Sequence, residues 1–110
     1  MNADVKQQWL DALRSNKYPK GKYELCGIQP EGNQFCCLGV LCEILEIPKE
    51  PDHHLYRYKY LHGDGSVYQV LPENVRKSLN IGIYQQGDLI SINDRTNDFD
   101  EVIKYIEDNL

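Results

Sequence analysis

Four groups of side chains in this 110-residue chain are able to bind or react, and the first is a set of bases. Within nine residues the chain carries Arg14, Lys17, Lys20 and Lys22. Gly21 lies among these bases and allows a ligand to approach the backbone closely. Ammonium groups and backbone N–H groups together hold phosphate, so this segment, the basic loop, is a candidate phosphate site for a nucleotide or nucleic acid. It lacks the G-x-x-x-x-G-K-[ST] spacing of a P-loop, and a solvated loop with surface lysines is the alternative.

The second group consists of tyrosines, of which the chain has eight. Tyr56, Tyr58 and Tyr60 alternate, so a strand would place all three on one face, with Tyr68 near them across a hairpin. Such a ladder could stack nucleobases or anchor a protein partner. Packing of the same ladder against the core is the alternative.

The third group begins at Asn93 and Asp94, within the sequence Asn-Asp-Arg-Thr-Asn-Asp. Clustered Asn and Asp side chains can bind a divalent cation or a ribose hydroxyl. The EF-hand pattern fails here, because no Gly stands at the sixth loop position. Hydrogen bonding in a turn and at a helix N-cap explains the same residues without a ligand. Asn93 and Asp94 are therefore candidate binding residues with a structural alternative.

The fourth group consists of the four cysteines. They are Cys26, Cys36, Cys37 and Cys42. Their spacing lacks the C-x-x-C pair of zinc and redox sites. A nucleophilic thiol needs a base such as His and a lowered pKa, and no local motif supplies these. We therefore expect four structural thiols in the core, and neither a metal nor a cofactor. A zinc site completed by His53, His54 and His62, if the hairpin folds back, is the alternative.

The elements that must position these groups follow from the hydrophobic pattern. Val5, Trp9 and Leu13 recur at helical spacing, which predicts a helix over residues 3–15. A strand is predicted over 23–28, and the apolar segment 35–47 predicts a central helix that is buried on most sides. A Gly in a helix costs about 1 kcal/mol against Ala, so Gly39 indicates close approach by a neighbouring element.

The second half of the chain predicts a hairpin, a short helix, a strand and a final helix. The hairpin joins residues 55–61 to 67–71, and Pro72 opens the short helix. Residues 89–92 predict a strand, and an apolar stripe from Phe99 predicts the last helix. The sequence thus predicts one α+β domain over residues 1–110. It has helices at both ends, one buried helix and a small, mostly antiparallel sheet.

Composition narrows the class of protein further. Lys plus Arg is 12 and Asp plus Glu is 17, which gives a net charge of −5. An acidic chain argues against generic nucleic-acid binding, which needs several bases on one face. The longest apolar run, 35–42, is far shorter than the roughly 20 residues of a membrane span, and no secretory signal precedes it. We expect a cytoplasmic protein without membrane contact, for which a homo-oligomer is possible.

Several segments, taken in order, resemble short proteins encoded by bacteriophages and prophages. The segments are Trp9–Tyr18, the Cys-Cys-Leu-Gly-Val-Leu-Cys block at 36–42, Leu71-Pro72, Asn93-Asp94 and Phe99–Leu110. The resemblance covers almost the whole chain and implies a phage or prophage setting without implying a reaction. The tyrosine-rich hairpin departs from the shared pattern, which makes it a candidate for partner choice.

The leading hypothesis is a small, non-enzymatic phage-type protein that interferes with a host component, such as one of bacterial immunity. Its partner would be either a host protein effector or a nucleotide-type signal. The basic loop would hold the phosphate of such a signal and the hairpin tyrosines its base. One alternative is a small hydrolase or nucleotide-modifying enzyme that uses a Cys or Asn93-Asp94 with a histidine. Another is a DNA mimic based on residues 81–110, which carry two bases and seven acids.

Overall fold

Five helices and five strands make up the computed structural model, which describes residues 1–110. The helices are α1 (Ala3–Arg14), α2 (Cys37–Ile44), α3 (Glu73–Ser78), α4 (Ile83–Arg95) and α5 (Asp100–Asn109). The strands are β1 (Cys26–Gln29), β2 (Gly32–Phe35), β3 (Lys49–Asp52), β4 (Arg57–His62) and β5 (Gly65–Val67). The predicted α+β class is confirmed.

All five strands belong to one antiparallel sheet, in which β2, β1, β4 and β3 are neighbours in that order. β1 and β5 share one side of β4: Gly27 lies opposite Arg57 at its start, and β5 pairs with its end. The backbone N–H of Leu25 donates to the carbonyl of Tyr68 at 2.8 Å, and the Leu25 carbonyl accepts from the N–H of Cys36 at 3.2 Å. Leu25 therefore ties the chain after β5 to the start of α2.

Helix α2 lies at the centre of the molecule, as predicted, but it is shorter than the predicted segment. Phe35 ends β2, and Cys36 is the N-cap residue, whose sulfur accepts from the N–H of Gly39 at 3.4 Å. A Cβ added at Gly39 would lie 1.7 Å from the Leu25 carbonyl oxygen. The predicted close approach at Gly39 is thus confirmed, and Leu25 is the neighbour.

Helix α4 replaces the strand predicted over residues 89–92, so that prediction is wrong. The buried residues of α4 are Gln86, Leu89 and Asn93, which recur every three or four positions. Two of the three are polar, so the hydrophobic pattern alone does not reveal this helical face. Their hydrogen bonds compensate for burial: Gln86 Oε1, for example, accepts from the N–H of Leu71 at 3.0 Å.

The core lies between the helices and one face of the sheet. The helices at both ends of the chain, α1 and α5, contribute to it. Trp9 of α1 is fully buried, and its indole N–H donates to the carbonyl of Cys37 at 2.9 Å. Val102 and Ile106 of α5 are also fully buried. None of the helices has the length and apolar character needed to cross a membrane.

Candidate functional site

A surface cleft of about 250 Å³ is formed where the start of α2, the second half of α4 and the chain after β5 meet. Its lining residues are Tyr23, Cys36, Cys37, Gln69, Val70, Ile90, Asn93 and Asp94. Of the site residues predicted from sequence, only Asn93 and Asp94 line this cleft. Both belong to α4 and precede its end by one or two residues.

Asn93 fixes the inner side of the cleft, because its buried side chain joins three parts of the chain. Its Oδ1 accepts from the backbone N–H of Cys37 at 3.0 Å, and its Nδ2 donates to the carbonyl of Gly21 at 3.0 Å. The first N–H groups of a helix lack partners within the helix, so Asn93 caps α2 from a different helix. It thereby holds α2, α4 and the basic loop in fixed positions.

Asp94 places a half-buried carboxylate beside this amide. Its Oδ1 accepts from the backbone N–H of Tyr23 at 3.0 Å and from Asn93 Nδ2 at 3.3 Å. Its Oδ2 accepts no hydrogen bond within the chain, and no Lys or Arg forms a salt bridge with it. One carboxylate oxygen in the cleft is therefore available to a ligand.

Tyr23 stands at the rim of the cleft in an unfavourable backbone conformation. Its φ is +73° and its side chain is 66% exposed. A left-handed conformation costs a residue with a Cβ roughly 1–2 kcal/mol. The hydrogen bond from the Tyr23 N–H to Asp94 helps to hold this conformation, which places the exposed ring at the rim of the cleft.

The two cysteines in the cleft do not form a reactive site. Burial raises the pKa of the Cys36 thiol to about 11, and burial also raises the pKa of Cys37 well above its ordinary value. Both thiols therefore stay neutral at physiological pH. The nucleophile of a Cys–His enzyme needs an adjacent base, and no histidine lines the cleft. All four cysteines are free and buried, as the sequence predicts.

No group of three or more His, Cys, Asp or Glu side chains is arranged to hold a metal ion.

Lys20, the centre of the basic loop, is engaged in holding the end of α4. Its ammonium donates to the carbonyl oxygens of Asn93 at 2.6 Å and Thr96 at 2.7 Å. Burial, followed by the nearby Lys22 charge, lowers the pKa of Lys20 from its ordinary value. The last carbonyls of a helix lack partners within the helix, so Lys20 acts as a C-terminal cap.

The other bases of the loop point to separate partners. Arg14 forms a salt bridge with Glu107 at 2.9 Å, and Lys22 donates to Asn97 Oδ1 at 3.3 Å. The ammonium of Lys17 lies 5.5 Å from the ring centre of the next residue. The structure therefore does not gather the four bases around one phosphate-sized site.

Of the three alternating tyrosines, only Tyr58 and Tyr60 share one face of a strand, so the prediction that Tyr56 lies with them is wrong, and Tyr60 packs in the core as the alternative expected. Tyr56 precedes β4, has a φ of +53° and is exposed. Tyr60 is fully buried and donates to Glu43 at 3.0 Å, while Tyr58 is half-buried in the same strand. Tyr58 and Tyr60 lie on the face of β4 that packs towards the core, whereas Tyr56 belongs to the turn before β4.

Tyr68 lies apart from these residues, next to Arg57. The Arg57 guanidinium carbon lies 4.1 Å from the centre of the Tyr68 ring, and the Tyr68 hydroxyl donates to Asp52 at 3.2 Å. Arg57 and Tyr60 are three positions apart in β4 and point to opposite faces. The four tyrosines therefore form no common surface on which nucleobases could stack.

One feature of the sequence points to this cleft, namely the resemblance to phage proteins. Composition and residue spacing alone do not predict the cleft. Two of the segments that resemble phage proteins meet here, the Cys36–Cys42 block and Asn93-Asp94, whereas Gln69 and Val70 belong to the hairpin that departs from the shared pattern. Tyr23 and Ile90 belong to no motif. Their contribution depends on the tertiary fold, which brings them together from positions 67 residues apart.

The fold is a small α+β domain with one antiparallel sheet, and its polar-floored cleft lies between the start of α2, the second half of α4 and the chain after β5. A family model described as "Domain of unknown function (DUF8296)" matches residues 1–81, and the chain belongs to this family. No curated protein and no solved structure matches the chain. The family match ends before α4, so Ile90, Asn93 and Asp94 lie beyond it.

Proposed function

We propose that the protein is a small phage-type binding protein that interferes with a host component in the host cytoplasm, by binding a protein effector. The cleft is the observation that carries this proposal. At about 250 Å³ it is smaller than the roughly 300–1,000 Å³ of typical small-molecule sites, so it suits one side chain better than a whole nucleotide. Protein interfaces concentrate affinity in such pockets, which receive an anchor side chain from the partner.

The surroundings of the cleft support a protein partner. Ile83, Gly87, Ile90 and Asp94 lie on one face of α4, because they are spaced by three or four residues. Ile83 is 64% exposed, and no atom lies within 4 Å of the position of a Cβ at Gly87. An apolar path therefore extends from the cleft along α4, and a partner surface can cover it.

The nucleotide version of the hypothesis has weaker support. No Lys or Arg lines the cleft, and the bases of the basic loop are directed to intramolecular partners. A phosphate in the cleft would also approach the Asp94 carboxylate. The four tyrosines provide no shared stacking surface.

The DNA-mimic alternative depends on unpaired acids near the C-terminus. Two of the acids of α5 are paired within the chain: Glu101 with Arg95 at 3.3 Å and Glu107 with Arg14 at 2.9 Å. These pairs interrupt the row of negative charge that a mimic of the DNA backbone would present.

The phage setting of the proposal rests on the ordered resemblance described above. Phages often encode small proteins that block bacterial immunity, and a binding protein needs no catalytic group to do so. A host immune effector is therefore the class of partner that we propose.

The test is capture of the partner from a bacterial host lysate, followed by a binding measurement with both purified proteins. We expect Val70→Trp to weaken the affinity at least tenfold, because Val70 is 41% exposed and lines the cleft, which the larger ring would fill without adding charge. Leu55→Trp is the matched control, because Leu55 is 50% exposed and lies outside the cleft. Equal affinities for the two variants would contradict the proposed surface.

A nucleotide screen tests the competing version. We expect no rise in the melting temperature with a panel of mono-, di- and cyclic nucleotides. A clear rise with any of them that Val70→Trp abolishes would overturn the protein-effector version in favour of a nucleotide-type signal.

A further inference from the structure

We propose that the cleft receives an arginine side chain of the partner protein. This inference rests on the proposed function and specifies the chemistry of the anchor. It is drawn from the carboxylate, the aromatic ring and the apolar walls that the cleft brings together.

The carboxylate of Asp94 selects for a donor with positive charge. Its Oδ2 has no hydrogen bond within the chain, and the lining includes no Lys, Arg or His. A guanidinium group presents several N–H donors in a planar fork that matches a carboxylate. The net charge of −5 also favours approach of a basic segment over an acidic one.

The walls of the cleft suit the rest of an arginine side chain. Val70 and Ile90 provide apolar surface for the aliphatic stem. The exposed ring of Tyr23 at the rim offers a face on which a guanidinium can stack. The volume of about 250 Å³ accommodates several water molecules at roughly 30 Å³ each, which is room for one long side chain.

The end of α4 already holds one cation of this chain. The ammonium of Lys20 lies against the carbonyl oxygens of Asn93 and Thr96, which lie within or just after the last turn of the helix. A helix C-terminus carries partial negative charge and stabilises cations. The Lys20 and Asp94 charges are close enough to interact, but Lys20 lies outside the cleft lining and forms no salt bridge with Asp94, whose Oδ2 keeps no partner within the chain.

A second place in the molecule shows one of these contacts. On the sheet, the Arg57 guanidinium stacks on Tyr68 at 4.1 Å, while Asp52 accepts from the Tyr68 hydroxyl and forms no salt bridge with Arg57. The cleft presents a tyrosine ring for the same kind of stacking, and the unpaired Oδ2 of Asp94 adds an acceptor for the guanidinium.

The first experiment is an NMR titration of the ¹⁵N-labelled protein with N-acetyl-arginine-N-methylamide. We expect millimolar binding, with amide shifts concentrated at Tyr23, Val70 and Asp94. The citrulline analogue, which has nearly the same shape without the charge, should shift these amides several-fold less at equal concentration. Asp94→Asn should abolish the difference between the two compounds.

Three results would overturn the inference: no shift with the arginine compound at tens of millimolar, equal shifts with citrulline, or stronger binding of the lysine analogue. Asp94→Asn keeps an oxygen that can accept from the Tyr23 N–H, so the fold should persist, and its melting curve checks this. Asp64→Asn in the turn between β4 and β5 is the matched control.

The captured partner separates failure of this inference from failure of the proposed function. We expect Asp94→Asn to weaken partner binding tenfold or more, and Asp64→Asn to leave it unchanged. If Val70→Trp abolishes binding and Asp94→Asn does not affect it, the arginine anchor is wrong and the protein-binding function stands. If Val70→Trp has no effect either, the cleft is not the binding surface and the arginine anchor fails with it, whereas failure to capture any partner would count against the proposed function.

Discussion

At the scale of single residues, a substitution at Tyr23 should affect the stability of the fold and the binding of the partner differently. Replacing Tyr23 with Gly removes the left-handed strain of roughly 1–2 kcal/mol, and the greater freedom of Gly in the unfolded chain offsets part of that gain. We expect the free energy of unfolding of Tyr23→Gly to be unchanged or to rise by up to about 1 kcal/mol. Urea denaturation measures this effect, and partner binding should weaken in the same variant.

Tyr56→Gly is the matched control for this prediction. Tyr56 also has a positive φ, +53°, and an exposed ring, but it lies outside the cleft. Its replacement should affect stability in the same way and leave partner binding intact. A loss of stability on Tyr23→Gly would instead show that the ring contributes to the fold.

The buried thiols predict how stability depends on pH. Burial raises the pKa of Cys36 from its ordinary 9.0 to about 11, and that of Cys26 to about 12. Above pH 9 these thiols lose protons in the unfolded chain before they do so in the folded one. The folded state then binds more protons, so stability falls as pH rises. Urea unfolding at pH 8, 9 and 10 should show a decreasing free energy.

Thiol labelling provides an independent check of the same burial. At pH 8 a pKa of about 11 leaves the Cys36 thiolate about a hundredfold less abundant than in an unfolded chain. Iodoacetamide should therefore label the native protein very slowly and all four cysteines in urea. Rapid native labelling at Cys36 would reopen the thiol-enzyme alternative.

At the scale of elements, two helical glycines predict opposite effects of the same substitution. Gly39→Ala places a methyl group 1.7 Å from the Leu25 carbonyl oxygen, so α2 must move away from Leu25, the residue before β1. We expect a loss of about 3 kcal/mol or more, at the upper end of overpacking effects. Gly87→Ala meets open space in α4 and should stabilise the protein by up to about 1 kcal/mol. Thermal melting of both variants measures the contrast, and equal effects would contradict the packing of α2 on Leu25.

How far the sequence predicts an element depends on which forces determine that element. The stripes of α1 and α5 and the uniformly apolar α2 could be predicted, because burial of apolar side chains alone determines them. Helix α4 could not, because it buries Gln86 and Asn93, whose partners lie in distant segments. The cleft could be predicted only in part, because it too depends on contacts between distant segments. Asn93 and Asp94 were identifiable from their residue types, whereas Tyr23 and Ile90 become neighbours only through the fold.

At the scale of the whole molecule, the family match and the folded unit have different boundaries. The match ends at residue 81, but α4 and α5 bury Leu89, Val102 and Ile106 completely. A fragment of residues 1–81 would expose the core surface that these side chains cover. We expect this fragment to be unfolded or aggregated, with loss of the near-ultraviolet circular dichroism of the full chain. A stable, monomeric fragment with native spectra would contradict this prediction.

The hydrogen bonds of Asn93 also have a kinetic consequence. Because this one side chain holds α2, α4 and the basic loop together, the cleft has its shape before a partner arrives. A preformed site requires no loop to become ordered during docking. The association rate should then lie in the usual range for rigid proteins, about 10⁵–10⁷ M⁻¹s⁻¹, and cleft substitutions should act mainly by shortening the lifetime of the complex.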